Sequence, residues 1–488
     1  MDAFVRISIA ICCGALLGTS TFIAFLWPLA PMTIAFFLYL IFSSSRTHSL
    51  LIGSSFGAGL MGAVLIWAFD ALPLSWLGIS NPLVSFSLIF SIWIFYSLIL
   101  AVPFAIFSRL MRMHHEGSWW LLCTAPVVWV LNEFLRAFLH VLTTWGAGSA
   151  LSFDSTFGFV GYSLSSSGYL RVAPLGGIIL LSVLVIEMGV ILYVLYRQGK
   201  RSSSIRACAY SLTFFGIICG VGYGIPSPVA TVFTPGVVIV EGVRIVPLST
   251  NFEASLSRTT EQYRENESQV ASIILHAISQ DPDVIVLPEY SRYLKGESLL
   301  SEDLQKSVRS KLAENNILLI DSERTTDGNF GAIIFFDAKT PEMPVMHMKR
   351  FLPPFGEYLP HPFLMIFRAF GFDRQVDAIL KNRTYYPSRD PYFTRTFTWH
   401  NITFGVLACS EIFSPFGYRA VSNAGADALI NIASHSWLRG GEILFKETLA
   451  MARVHVAYTG KPYIQATNYG PALVVYPVEY PLSFENVK

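Results

Sequence analysis

The first half of this chain is dominated by seven apolar stretches, each close to the length that a helix needs to cross a bilayer. A membrane-spanning helix takes about 20 mostly apolar residues. The stretches cover residues 7–26, 27–43, 49–69, 83–108, 119–141, 174–196 and 207–225. Because backbone polar groups must be satisfied within a bilayer, we predict a membrane bundle of about seven helices.

Charged residues divide the chain into two unequal parts. Residues 1–225 carry 16 of the 67 Lys, Arg, Asp and Glu residues, and residues 226–488 carry the other 51. Only 14% of the chain is charged, against about 25% in a typical soluble protein. We therefore predict a polytopic membrane domain over 1–225 and a water-soluble domain over 226–488. The net charge of +1 and the lack of a Lys/Arg-rich run argue against a nucleic-acid partner.

Basic residues in the short loops predict which side of the membrane each loop occupies, because cytoplasmic loops are enriched in Lys and Arg. Apart from Arg171, they lie in alternate loops: Arg46, Arg109, Arg112, Arg197, Lys200, Arg201 and Arg206. This alternation predicts a cytoplasmic N-terminus and places everything after residue 225 outside the cytoplasm. Arg6 precedes a long apolar run without a small-residue cleavage site, so we expect no cleavable signal peptide.

The second half alternates short β-rich runs with helical patterns, which is typical of a layered α/β fold. The predicted helices cover residues 258–279, 299–314, 415–424 and 440–458. The predicted strands are Val237–Val240, Val284–Leu287, Ile317–Ile320, Ala332–Phe336, Thr403–Leu407, Ala428–Ile432 and Ile464–Ala466. No linker divides these elements, so we expect one domain.

Two charged residues lie in the fifth apolar stretch, where ionisable groups are costly. Glu133 and Arg136 are three residues apart and would share one helix face. We interpret them as a structural ion pair facing the bundle interior, with contact to a substrate as the alternative.

Cys409 is the one cysteine of six that lies outside the apolar stretches, so it has no disulfide partner within the soluble domain. It follows the predicted strand Thr403–Leu407, and α/β folds place their active sites at the carboxyl ends of strands. The residue is therefore either a nucleophile or a buried structural thiol.

A nucleophilic cysteine needs a base or a positive charge nearby, because a free thiol has a pKa of about 8.5. Glu289 also follows a predicted strand, and Lys349 begins a loop rich in Pro and Gly. Taken singly, each is ordinarily a solvated surface charge. Together with Cys409 they form a series with two intervals of 60 residues.

This Glu-Lys-Cys series resembles the triad of the nitrilase superfamily and, within it, the apolipoprotein N-acyltransferase family. That family joins a multi-span membrane domain to an outward-facing nitrilase-like αββα sandwich. The matching segments in the second half are Pro288-Glu289, Lys349 with Pro354-Phe355-Gly356-Glu357-Tyr358, Cys409-x-Glu411, Asn431, Trp437, Arg453, Gly460-Lys461-Pro462 and Ala466-Thr467-Asn468-x-Gly470. In the first half they are Trp129-x-x-x-Glu133-x-x-Arg136, Gly161-Tyr162-Ser163 and Ala173-Pro174-Leu175.

The resemblance implies an acyltransferase of the bacterial inner membrane with its catalytic domain on the periplasmic side. Glu289 would be the base, Lys349 would stabilise the oxyanion, and Cys409 would carry the acyl chain as a thioester. Glu357 and Glu411 would hold Lys349 and Glu289 in register. The donor would be a phospholipid and the acceptor the N-terminal amine of a diacylated lipoprotein, with no metal or cofactor.

The chain departs from the family pattern in loops that shape the substrate sites. Where the family has an Asn-Asp-Ala-Trp-like run, this chain has Ala433-Ser434-His435-Ser436-Trp437, and the family's further membrane span has no counterpart before Lys488. We expect His435 to be a loop histidine with local hydrogen bonds rather than an active-site group. Two other functions stay open: a membrane-anchored nitrilase-type amidohydrolase, in which water replaces the amine, and a non-catalytic lipid-binding relative.

Overall fold

The computed structural model describes residues 3–116, 118–202, 204–254, 259–289, 291, 293, 302–324, 331–337, 345–383, 385–388 and 396–485. In the first half, the described residues form seven α-helices: α1 (Ala3–Ser20), α2 (Leu29–Phe42), α3 (Arg46–Val64), α4 (Pro82–Met111), α5 (Leu121–Thr143), α6 (Ala173–Ser202) and α7 (Ser204–Gly224). Each overlaps one predicted apolar stretch.

Not all of these helices have the length and composition of a membrane span. Four segments do: Ala3–Ser20, Pro82–Met111, Leu121–Thr143 and Gly168–Lys200. Leu29–Phe42 and Ala209–Gly224 are apolar but shorter. A largely apolar helical first half is therefore confirmed, whereas the count of seven crossings stays a prediction.

Glycines let α1 and α3 pack with their backbones in contact. A Cβ atom on Gly14 would lie 1.9 Å from the carbonyl oxygen of Phe56, and one on Gly59 would lie 2.1 Å from that of Ile11. Small residues at helix interfaces serve this purpose in membranes, where close packing rather than water exclusion drives association.

The second half contains two mixed β-sheets, each with seven strands among the described residues. The strands are β1 (Val229–Phe233), β2 (Val237–Val240), β3 (Val243–Pro247), β4 (Ser249–Thr250), β5 (Val284–Val286), β6 (Leu318–Arg324), β7 (Gly331–Asp337), β8 (Val345–Met348), β9 (Thr396–Trp399), β10 (Ile402–Ala408), β11 (Ala428–Ser434), β12 (Tyr463–Asn468), β13 (Leu473–Pro477) and β14 (Ser483–Glu485). One sheet has the order β1-β13-β12-β11-β10-β9, with β4 beside β12, and the other has β14-β2-β3-β5-β6-β7-β8.

Helices cover the outer face of each sheet. The second half contributes α8 (Thr260–Ile278), α9 (Glu302–Glu314), α10 (His361–Ala369), α11 (Asp373–Arg383), α12 (Pro415–Asn423) and α13 (Glu442–Thr459). Residues of α8 and α9 form one apolar cluster with the outer face of the β5 sheet, and residues of α12 and α13 pack with the outer face of the β10 sheet. Between the sheets lies a separate core that includes Val284, Val286, Phe404 and Ile430.

This order of layers, helix–sheet–sheet–helix, confirms the predicted αββα fold class. All seven predicted strands and all four predicted helices of this half are found among the described residues. Residue 258 and residues 299–301, with which two of those predicted helices begin, lie outside the described residues. The sequence reading missed α10 and α11, of nine and eleven residues, because so few turns give a weak helical period.

The two halves of the chain are in contact along α13. Gly177 breaks the helical geometry of α6 with a φ of 57°, and a Cβ atom there would lie 3.2 Å from the ring of Tyr458 near the end of α13. Arg453 of α13 donates a 2.8 Å hydrogen bond to the hydroxyl of Ser166 in the first half. The sheet and helix layers of the second half therefore pack directly on the helical bundle.

Candidate active site

The three predicted catalytic residues lie at strand ends that meet in space. Lys349 immediately follows β8 and Cys409 immediately follows β10, while Glu289 lies three residues beyond β5. Within one sheet β5 and β6 are parallel, and the antiparallel pairs β6–β7 and β7–β8 give β8 the direction of β5. Both strands therefore end at the same edge of that sheet.

Lys349 lies between two carboxylates. Its Nζ donates to Oε1 of Glu289 at 2.7 Å and to Oε1 of Glu357 at 2.9 Å. All three side chains are buried, with Lys349 only 1% exposed. A buried charge is tolerated when it is paired and hydrogen-bonded in this way.

The charges of this cluster stabilise one another. Burial alone would lower the pKa of Lys349, but the carboxylates of Glu289 and Glu357 outweigh it and raise that pKa well above its ordinary range. Burial raises the pKa of Glu289; Lys349 opposes this rise, and the Glu357 carboxylate adds to it. The lysine therefore stays protonated at neutral pH, and Glu289 is the group of the pair whose protonation can change.

Cys409 begins a 3-10 turn that extends to Phe413 and has a φ of 43°. Such a left-handed conformation is uncommon for a residue with a side chain and is characteristic of functional positions. The thiol lies 3.9 Å from the carbonyl oxygen of Ser434 and interacts electrostatically with Glu289 and Lys349. Burial and the Glu289 charge raise the pKa of this thiol, and Lys349 opposes them. In the resting site the thiol is therefore protonated and needs a base.

We expect from the sequence that Glu411 contacts Lys349 or Glu289. In the structure it instead binds backbone groups around the site. Its carboxylate accepts hydrogen bonds from the backbone N–H of Arg350 at 2.8 Å and of Ala408 at 2.7 Å. It also pairs with Nε2 of His347 at 2.6 Å. Burial alone would raise the pKa of Glu411, but His347 and these backbone donors lower it.

These contacts tie together the residue after Lys349 and the residue before Cys409. His347 was not singled out from the sequence, because one histidine within a strand carries no spacing signal. Glu357, in contrast, contacts Lys349 as expected.

Cys409 opens on a cavity of about 260 Å³ whose walls are mostly apolar and come from both halves of the chain. The first half contributes residues of α4, α5 and the segments beside them, and the second half contributes the loop after Lys349. Representative lining residues are Leu77, Ile89, Ile92, Phe351, Phe355 and Leu444. A cavity of this kind suits an apolar ligand.

His435 also lines this cavity, and the expected local ring hydrogen bond is not formed at Nδ1. That atom is buried without a partner among the described residues. The backbone N–H of His435 donates to the carbonyl oxygen of Asn468 at 2.9 Å, which fixes the loop. Burial lowers the pKa of the His435 ring to about 4, so the ring is neutral at physiological pH.

Glu133 and Arg136 are both buried on α5, but they bind a neighbouring loop rather than each other. Oε1 of Glu133 accepts from the backbone N–H of Val160 at 2.8 Å, and Nη1 of Arg136 donates to the carbonyl oxygen of Phe157 at 2.6 Å. The predicted direct ion pair is therefore wrong, although the predicted burial in the bundle is correct.

No metal site is evident in the part of the chain that the structure describes. Within those residues no group of three or more His, Cys, Asp and Glu side chains is arranged to hold an ion. The absence of a metal or cofactor from the reaction stays a prediction.

Known proteins that are similar in sequence align with nearly the whole chain. A family model described as the apolipoprotein N-acyltransferase N-terminal domain matches residues 13–191. An apolipoprotein N-acyltransferase of Photobacterium profundum is 24% identical over 96% of this chain and 84% of its own length. One from Chromobacterium violaceum is 24% identical over 97% of this chain and 84% of its own.

Among solved structures, an amidase of the nitrilase superfamily from Nesterenkonia matches the chain in part. It is 14% identical, covers 50% of this chain and 92% of its own, and superposes with a TM-score of 0.30.

Proposed function

We propose that this chain, which is similar to apolipoprotein N-acyltransferases, moves an acyl chain from a phospholipid to the N-terminal amine of a diacylglyceryl-cysteine lipoprotein. One observation carries the proposal. A thiol that interacts electrostatically with a buried Glu-Lys-Glu cluster opens on an apolar cavity lined by both halves of the chain.

In the first half-reaction, Glu289 accepts the proton of Cys409, and the thiolate attacks the ester carbonyl carbon of the phospholipid. The developing oxyanion is stabilised by the ammonium of Lys349, which stays charged because of its two carboxylates. Collapse of the tetrahedral intermediate forms the thioester and breaks the C–O bond. The leaving alkoxide takes the proton back from Glu289 and departs as a lysophospholipid.

In the second half-reaction, the neutral N-terminal amine of the lipoprotein attacks the thioester carbon. Glu289 takes the proton that the amine loses, and the thiolate leaves. The proton then returns to Cys409, so the site regains its starting state. Glu357 holds Lys349 in place through both steps, and Glu411 holds the strand ends that carry Lys349 and Cys409.

The proposed setting is the inner membrane of a bacterium. Residues 1–225 form the polytopic membrane domain, and residues 226–488 form a catalytic domain on the periplasmic side. The apolar walls of the cavity support this arrangement, since donor and acceptor are both lipids and reach Cys409 without leaving an apolar environment.

The proposal can be tested by measuring separately the acylation of the protein by phospholipid and the transfer of that acyl chain to a lipopeptide. Purified protein is incubated with a phospholipid carrying a labelled acyl chain, and the acyl-enzyme is detected by intact mass before and after addition of diacylated lipopeptide. We expect a covalent adduct that lipopeptide discharges at least about tenfold faster than buffer does. Cys409→Ala is expected to form no adduct, whereas Cys123→Ser, which changes an exposed cysteine of α5, is the matched control.

Two outcomes would contradict the proposal. Equal discharge rates with and without lipopeptide would make the protein a hydrolase, in which water takes the place of the amine. An adduct that persists in Cys409→Ala would remove this cysteine from the mechanism.

A further inference from the structure

The turn that carries the nucleophile is held at its far end by a residue of the first half. Thr156 donates two hydrogen bonds to the carbonyl oxygen of Phe413, the last residue of the turn that begins at Cys409. One bond comes from its backbone N–H and one from its hydroxyl, each at 2.9 Å. The ring of Phe157 packs edge-on against that of Phe413, with centroids 5.7 Å apart.

The hydroxyl of Thr156 is part of a buried relay. It has one proton, which it donates to Phe413, so the 2.6 Å contact with the hydroxyl of Tyr162 is one in which Tyr162 donates. Thr156 is 0% exposed and Tyr162 is 2% exposed, so the contact between their hydroxyls is shielded from water. Buried hydrogen bonds of this kind are expensive to break one partner at a time.

The same segment is anchored to helix α5 of the membrane half. Arg136 binds the carbonyl oxygen of Phe157 directly after Thr156, and Glu133 binds the N–H of Val160. The guanidinium of Arg136 also lies 5.3 Å from the ring centroid of Phe159. A continuous series of contacts therefore leads from α5 through residues 156–162 to the nucleophile turn.

A strained turn needs such external contacts. The φ of 43° at Cys409 is maintained only if surrounding groups fix the backbone on both sides. Before the cysteine, Glu411 accepts from the N–H of Ala408, and after it Nε2 of His455 binds the carbonyl oxygen of Ile412 at 2.7 Å. Thr156 fixes the next carbonyl from the side of the membrane half.

We propose that Thr156 is a positioning residue that sets the orientation of Cys409 from the membrane half, through Phe413, with Tyr162, Glu133 and Arg136 as its supports. The inference rests on the proposed acyl transfer for its role in the reaction, but the placement of the thiol can be tested separately. In this proposal Glu133 and Arg136 support the position of Thr156 and do not need to contact the substrate.

The test compares Thr156→Val, which keeps the shape and the backbone N–H but removes the hydroxyl, with Thr156→Ser, which keeps the hydroxyl. We expect Thr156→Val to lower kcat for acyl transfer about tenfold, in the range of one lost buried hydrogen bond, with KM for phospholipid within twofold. Alkylation of Cys409 by iodoacetamide, followed by mass spectrometry of its peptide, should slow in parallel. Thr156→Ser should recover most of both rates.

Ser163→Ala is the matched control, because Ser163 is buried in the same segment but donates to the carbonyl oxygen of Val160 rather than to the turn. It should leave both rates within twofold of the wild-type values. Unchanged rates in Thr156→Val would overturn the inference, and so would equal losses in Thr156→Val and Ser163→Ala together with equally lowered unfolding temperatures. If the wild-type protein transfers no acyl chain, the proposed function fails, while slower alkylation in Thr156→Val alone would still support positioning.

Discussion

At the scale of single residues, the candidate site is a set of opposed charges whose protonation is fixed by burial and by neighbours. Cys409 is protonated at rest, Lys349 is charged, and Glu289 is the group able to change. A neutral thiol is protected from oxidation and metal binding, and in the proposed mechanism it becomes reactive only when its proton moves to Glu289.

Glu357 is expected to set the pH range of thioester formation. In the proposed mechanism ionised Glu289 is the base, so the rate should fall as pH decreases through the raised pKa of this residue. Because the Glu357 carboxylate raises that pKa, Glu357→Gln should shift the acidic limb to lower pH. It should also lower the maximal rate about 10- to 100-fold, since Lys349 loses a charge-assisted hydrogen bond. Single-turnover acylation measured across pH checks both effects.

Glu479→Gln, which changes an exposed carboxylate in the last described turn of the chain, is the control for this experiment. It should alter neither the rate nor the position of the limb. An acidic limb that stays in place or moves to higher pH in Glu357→Gln would show that Glu357 does not act on Glu289.

At the scale of elements, helix α13 connects the outer face of one sheet to the helical bundle and carries a buried carboxyl group. Glu447 is 3% exposed, and neither of its oxygens has a hydrogen-bond partner among the described residues. Burial raises the pKa of Glu447 well above 4.5. The helix therefore buries this side chain in its protonated form.

Glu447→Gln is expected to stabilise the protein at neutral pH. Because the pKa of Glu447 is higher in the folded than in the unfolded protein, its contribution to stability is greatest below the pKa of the unfolded chain. That contribution is lost as pH rises through the pKa of the folded protein. An amide does not titrate, so the variant avoids this loss. We expect a thermal midpoint about 2–4 °C higher at pH 7.5 and no difference near pH 4.5.

Glu442→Gln on the same helix provides the comparison. Glu442 is exposed and paired with Lys446 at 2.6 Å, and exposed pairs of this kind contribute little. Its midpoint should stay within about 1 °C of the wild-type value. A lower midpoint for Glu447→Gln at pH 7.5 would mean that the ionised form is stabilised in the fold.

Central strands can be predicted from the sequence, whereas edge strands cannot. Central strands such as Val284–Val286 and Ala428–Ser434 are buried along their whole length, so they appear as continuous apolar runs. Edge strands such as β9 and β14 have three or four residues and are partly exposed. Their register depends on the neighbouring strand, which leaves no local pattern in the sequence.

At the scale of the whole molecule, the charge-poor first half and the charge-richer second half form one cavity together. Segments from α4 and α5 and the loop after Lys349 line it together. The hydroxyl of Tyr358, just after Glu357, donates to the carbonyl oxygen of Thr144 at 2.9 Å, so the lysine loop is also attached to the end of α5. Neither half alone would form the cavity.

The proposed orientation can be tested by labelling introduced cysteines in intact bacterial cells. Glu265→Cys on α8 should react with a membrane-impermeant maleimide, because its position is exposed in the second half. Met113→Cys, which is 69% exposed between α4 and α5, should react only after permeabilisation, with at least about a tenfold gain set by the positive-inside arrangement. The wild-type chain gives the background of its native cysteines. The reverse pattern would place the second half in the cytoplasm.

The sequence alone determined the features that depend on local composition and order. Apolar stretches of spanning length, the loop charges and the buried strand runs all follow from neighbours along the chain. The sequence also singled out Glu289, Lys349 and Cys409, because their motifs have the order and spacing of the family that the chain resembles.

Only the tertiary structure decided which side chains meet. Glu411 binds His347 and two backbone N–H groups, Glu133 and Arg136 bind a loop instead of each other, and Thr156 reaches a carbonyl 257 residues away. Buried polar groups must find partners wherever the packed chain provides them. Those partners are set by the crossing of distant segments, for which the sequence carries no local signal.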